Sequence, residues 1–312
     1  MLYLTTRNGV DCHTAYHALT ENAGPDGGLY IPFHLPVLSK KEIRELAESG
    51  FGSTVAKLLN LFFGTDLNAW DVETCGGKNP LRIVDTGQQI FVLEDWHVLG
   101  GKYENLVRNL YEKACSEYGL KEPTVWFRIV IRMAVLFASY GEFSGETMDI
   151  SVNTGDFSDP MAAYYARKMG LPLGTILCNS SENGAVWDLI HRGTGNTAQL
   201  RSAVCLEMLL SELYGADTVK RYLEQAEKGG TFSLPEEASP LGQDLFVAVI
   251  GEARIQPVIR SVHRTSGYFA DAHTASAFGG IRDFRARTGK NNPTLLFSDL
   301  KCGPDEVSGG DL

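Results

Sequence analysis

A chain of 312 residues has room for one large domain or two ordinary ones, so burying a sizeable core is no difficulty. Apolar residues at 44% and charged residues at 21% match the globular balance and exclude wholesale disorder. With 28 Lys and Arg against 38 Asp and Glu, the formal charge of −10 argues against nucleic acid or an anionic membrane as a general partner.

The cysteines Cys12, Cys75, Cys115, Cys178, Cys205 and Cys302 form no C-x-x-C pair, so neither a zinc ribbon nor a disulfide framework is written in the sequence and a reducing compartment is expected. The first residues show no signal-peptide pattern. The longest apolar stretch, Trp126 to Tyr140, contains Arg128 and Arg132 and is too short for a membrane span. These features together predict a cytoplasmic protein.

In chain order, Asp26-Gly27-Gly28 predicts a turn followed by a short extended segment ending at Pro32. Ser39 followed three residues later by Glu42 fits a capping box and starts a helix. A second helix is expected over Ser53 to Phe62. From Lys102 to Tyr118 apolar residues recur at i, i+3, i+4, i+7 and i+8, which predicts an amphipathic helix, and a more buried one is expected over Thr124 to Tyr140. Strand, loop, helix, strand, helix follow: Met148–Val152, Asn153–Asp159, Pro160–Met169, Pro172–Cys178 and Asn183–His191, the pattern of a βαβ unit in a parallel sheet. Helices are expected to dominate the remainder, with Pro257 bending or breaking the long one, before a last strand over Thr294–Phe297.

The segment Asp159-Pro160-Met161-Ala162-Ala163-Tyr164-Tyr165-Ala166-Arg167-Lys168-Met169-Gly170-Leu171-Pro172, preceded by T-G-D-F-S, resembles the G-N-F-G-D…A-G-Y-Y-A-K-K-M-G-L-P segment of threonine synthases. Further blocks agree in order: Thr5-Thr6-Arg7 with Asp26 to Pro32, Val92-Leu93-Glu94 with His97, Ser181-Glu182-Asn183, and Gly267-Tyr268 with Asp271 to Ala275. The resemblance implies an α/β fold, the large domain of the fold type II pyridoxal 5′-phosphate (PLP) enzymes with its parallel-rich sheet flanked by helices. It also implies a PLP-dependent carbon–oxygen lyase that makes threonine and phosphate from O-phosphohomoserine and water.

Set against that family, several parts differ. Glu104 stands at the position of the Schiff-base lysine, and a carboxylate cannot form that bond. Lys102 lies about 200° round a helix from it and reads as a solvated residue rather than a substitute. The phosphate loop becomes Gly155, Asp156, Phe157, Ser158 and Asp159, where Asp156 adds a negative charge and Asp156 or Ser158 reads as a helix cap. Asp299 falls near the pyridine-side position, where a hydroxyl is expected. The sequence passes from the lysine helix almost directly to Val125-Trp126-Phe127-Arg128, as if the small domain, roughly 100 residues, were largely deleted. The expected division is 1–96 for the N-terminal segment, 97–306 for a shortened large domain, and 307–312 for a disordered tail.

Among other candidates, His273 reads as structural with Asp271 as its helix cap, and His97 reads as a strand-end residue. His13 and His17, with Cys12 beside them, have a spacing that holds zinc on a helix but read rather as surface residues. Gly193-Thr194-Gly195-Asn196 reads as a glycine turn, Gly100-Gly101-Lys102 lacks the spacing of a phosphate-binding loop, and no G-x-S-x-G occurs. Arg128 and Arg132, one turn apart, suit either joint anion binding or the edge of the core. If Glu104, Asp156, Asp159 and Asp299 converge, they form a carboxylate site suited to Mg²⁺ or Ca²⁺. The expected function is therefore a threonine synthase-like pseudoenzyme without a cofactor, binding a small molecule or a protein and able to form homo-oligomers. The alternative is a working PLP-dependent lyase with its missing elements supplied in trans.

Overall fold

The computed structural model describes residues 1–76, 81–100, 103–143, 145–180, 184–234 and 245–302. Its N-terminal part holds β1 (Leu2–Thr5), β2 (Asn8–Thr14), α1 (Ala15–Thr20), β3 (Tyr30–Pro32), α2 (Lys40–Glu48), α3 (Phe51–Phe63) and α4 (Ala69–Gly76). The three strands form an antiparallel sheet in the order β2-β1-β3. Next come β4 (Ile83–Asp85), β5 (Ile90–Glu94), a short 3-10 turn over Asp95–Gly100, α5 (Tyr103–Ala114), α6 (Val125–Ser139), β6 (Met148–Asn153), α7 (Ser158–Lys168) and β7 (Leu173–Ser180). The last third adds α8 (Ala185–Arg192), β8 (Thr194–Asn196), α9 (Thr197–Ser202), α10 (Leu206–Tyr214), α11 (Ala216–Gly229), β9 (Thr231–Ser233), β10 (Leu245–Val249), α12 (Glu252–Ser266), α13 (Ala272–Thr288) and β11 (Thr294–Ser298).

Six strands make the central sheet in the order β10-β7-β6-β11-β5-β4, parallel throughout except where β4 pairs antiparallel with β5. Helices on its faces make this an α/β fold. Beneath it α6 is buried along nearly its whole length, as its apolar composition requires, with the Thr124 hydroxyl accepting from the Phe127 N–H at the N-terminus. The capping box of Ser39 and Glu42 is formed on both sides. In the βαβ unit, β6, α7 and β7 lie where the alternation of apolar strand and helix puts them.

The Thr5-Thr6-Arg7 and Asp26-Gly27-Gly28 blocks act on the fold. The Thr5 hydroxyl donates to Asp26, and the Leu29 N–H donates to the Thr6 hydroxyl. Thr6 also donates to Glu207 of α10, which takes two N–H groups of Arg7 at 2.9 Å each. A side chain at Gly28 would come within 2.9 Å of the Arg7 backbone N, so the turn needs glycine there. Tyr3 extends the tie inward: its hydroxyl donates to the Phe62 carbonyl and accepts from the Trp126 indole N–H.

Three expectations change. Pro257 lies inside α12, which runs unbroken over Glu252–Ser266 because Val258, Ile259 and Val262 are buried in the core; packing outweighs the single lost N–H. Late in the chain, where helices were expected to dominate before the last strand, β10 adds a further strand at the sheet edge. His13 is on β2 and His17 on α1, so the two do not share a helix face. No described helix is long and apolar enough to cross a membrane.

Glu207→Ala leaves Arg7 and Thr6 without their common partner and is expected to lower the unfolding free energy by about 2–4 kcal/mol. Asp271 takes the His273 and Thr274 N–H groups at the start of α13, so Asp271→Ala should cost about 1 kcal/mol. Urea titrations of both variants check these values.

Candidate functional site

Parallel strands present their C-terminal ends to one side of the sheet, where α/β proteins hold ligands. Here Asp95 follows β5, the loop Gly155–Asp159 follows β6, and Asp299 follows β11. Helix α5 brings Tyr103 and Glu104, and α6 brings Arg128 and Arg132. These groups line a cleft of about 520 Å³.

Arg132 is at its centre, with a side chain only 6% exposed. Its Nη1 donates to Asp95 Oδ2 at 2.7 Å and its Nε donates to Asp159 Oδ1 at 2.7 Å. The guanidinium carbon lies 4.0 Å from the centroid of the Tyr103 ring and 4.6 Å from that of Phe297. Burial opposes its charge, but Asp159 and Asp95 hold its pKa well above the ordinary value. Burial also pushes Asp95 up to about 7, against the pull of Arg132 and with help from Asp299 and Asp159. Asp159 is raised for the same reason, burial first.

Glu104 pairs with Arg128 Nη1. Lys102 and the Ser181-Glu182-Asn183 block lie outside the described residues, as does the 307–312 tail. In the degenerate loop, Asp156 Oδ1 accepts from the Ser158 N–H at 2.9 Å and from its hydroxyl at 2.6 Å. The carboxylate thus takes the helix-start N–H that would otherwise face an anion. Phe157 has a positive φ of 71° and a fully buried ring, and Pro160 contributes no donor to the first turn of α7.

The structure therefore gathers Glu104, Asp156, Ser158, Asp159 and Asp299 around one cleft. The expected metal site is corrected: among the described residues no group of three or more His, Cys, Asp or Glu is placed to hold an ion. Glu104 and Asp159 are paired with guanidiniums instead. Neither of the two weighed roles for Arg128 and Arg132 is complete, since both face the cleft as counter-ions to its carboxylates. His97 is exposed and does not line the cleft. Residues not anticipated are Asp95 and Tyr103. The acidic pair Glu94-Asp95 directly after the apolar run Ile90–Leu93, at a strand end, was the signal available for Asp95.

The family description "Threonine synthase N terminus" matches residues 2–78. Threonine synthase-like 1 of Homo sapiens is 27% identical over 148 residues, 43% of this chain and 20% of that protein. Threonine synthase of Pseudomonas aeruginosa is 25% identical over 175 residues, 51% of this chain and 37% of that enzyme. These matches span well under half the length of either relative. Among solved structures, PLP-bound threonine synthase from Brucella melitensis superposes with a TM-score of 0.83 at 18% identity, covering 99% of this chain and 90% of that one. The yeast threonine synthase gives a TM-score of 0.82 at 16% identity, covering 98% and 88%. The chain thus opens on a stretch that matches the threonine synthase N-terminal model, carries sequence similar to threonine synthases beyond it, and has the α/β fold of the threonine synthase structures throughout.

Proposed function

We propose that this chain is a threonine synthase-like protein that has left PLP-dependent catalysis and works by binding. One observation carries the reading: the cleft at the C-terminal ends of the strands is lined by an arginine–carboxylate network centred on Arg132. PLP needs an amine for its aldehyde and free N–H donors for its phosphate. The described lining offers Glu104 in an ion pair instead of the amine, and Asp156 already bonded to the loop N–H. A dianionic phosphate about 4 Å from such a carboxylate is repelled by about 4 kcal/mol per pair of unit charges at an effective dielectric near 20. The described residues do not fit the cofactor, and no catalytic step is derived through it.

The reading divides the chain into an N-terminal segment (1–96), a shortened large domain (97–306) and a tail (307–312). The direct passage from α5 to α6 across residues 115–124 supports a largely deleted small domain. Six free thiols suit the cytoplasm.

Titration of the purified protein with PLP is expected to give no yellow chromophore, and incubation with O-phosphohomoserine no released phosphate. A yellow protein whose cofactor borohydride fixes to a lysine would overturn the reading in favour of a working lyase. The network also sets a pH dependence. Asp95 and Asp159 both bind protons more tightly folded than unfolded, and through Asp95 the folded chain holds more protons between the unfolded value near about 4 and about 7. Their contribution is therefore most favourable on the acid side and is lost as pH rises through about 7. The melting temperature is expected to fall between about pH 5 and about pH 8, and Asp95→Asn to flatten that fall; thermal melts across the range check both.

A further inference from the structure

We propose that the cleft takes an elongated organic cation, of the class of primary aliphatic diamines, in the space where its relatives hold a phosphate-bearing cofactor. The inference rests on the cofactor-free reading above. Its basis is an unbalanced charge. Arg132 is consumed by Asp95 and Asp159, and Arg128 by Glu104. Asp156 and Asp299 have no cationic partner among the described residues: the Asp156 carboxylate bonds only within its own turn, and the Asp299 carboxylate accepts a 3.5 Å contact from Asn153. Both raise the pKa of Asp159, so both direct their field into the same cleft.

Tyr103 adds an independent sign. Its side chain lines the cleft and its buried hydroxyl has no hydrogen-bond partner among the described residues, and an oxygen in that state accepts readily from an ammonium N–H. A compact metal ion does not suit the site, because no three carboxylates converge. A ligand with ammonium groups separated by an apolar spacer does. Asp156 and Asp299 stand on different walls, one before α7 and the other after β11, and the ring of Tyr103 supplies an apolar surface.

The test is calorimetric titration of the full chain with 1,4-diaminobutane, n-butylamine, Mg²⁺ and inorganic phosphate at low salt. One diamine per chain is expected, about tenfold tighter than the monoamine, with no saturable response to Mg²⁺ or phosphate. Asp156→Asn and Asp299→Asn, both at exposed positions, are each expected to weaken the diamine about tenfold while unfolding as cooperatively as wild type. Absence of saturation, equal affinity for mono- and diamine, or unchanged affinity in both variants overturns the proposal. If PLP and diamine both fail to bind, only this inference falls; if PLP binds as a chromophore, the functional reading falls with it.

Discussion

Between Asp95 and Asp159, the Arg132 guanidinium joins three parts of the molecule that are distant in sequence: the end of β5, the start of α7 and the middle of α6. A cation so deeply buried is tolerable only while both carboxylates remain, because either one left alone would keep a desolvated charge without a partner. Every other feature of the cleft is arranged around that requirement. Tyr103 and Phe297 present ring faces to the guanidinium, and burial above all, with the surplus acids adding to it, pushes Asp95 and Asp159 toward their protonated forms. The strand ends that carry this network are held in place by a parallel sheet whose register leaves little freedom at its C-terminal edge.

The family's N-terminal blocks serve a different end. Thr5, Thr6 and Arg7 bind Asp26, Leu29 and Glu207, none of which lines the cleft. These contacts serve the fold, whereas Glu104 and Asp156 in the cleft bond to Arg128 and to Ser158. Resemblance in one part of a chain and divergence in another are thus compatible, since scaffold and site answer to different physical demands.

Much of this was legible in the residues. The capping box at Ser39, the buried helix beginning near Thr124, the amphipathic helix beginning near Tyr103 and the βαβ unit around the Gly155–Asp159 loop follow from local chemistry, and the structure has them. The strands β4, β5 and β10 carry weaker signals: three to five apolar residues in a buried strand have no period that separates them from a piece of helix. The site was legible as a set of substituted positions but not as a network. Asp95 and Arg132 are 37 residues apart, and nothing in their spacing shows that one neutralises the other. The metal expectation failed for the same reason, since like charges counted along a sequence take no account of the cations packed among them.

Phe157 sets the terms on which the loop can change. Its backbone is in the left-handed region, at a cost of order 1 kcal/mol or more for a residue with a side chain, and its ring is fully enclosed by the core. Exchange for glycine would relax the backbone but remove a buried ring, a loss of about 3–5 kcal/mol if the site does not collapse. Restoring an amide at position 156 would remove a charge while leaving the turn anchored as before. The loop therefore cannot change at Phe157 in a single step without loss of core packing, and it is held in place by the same packing that keeps the sheet intact.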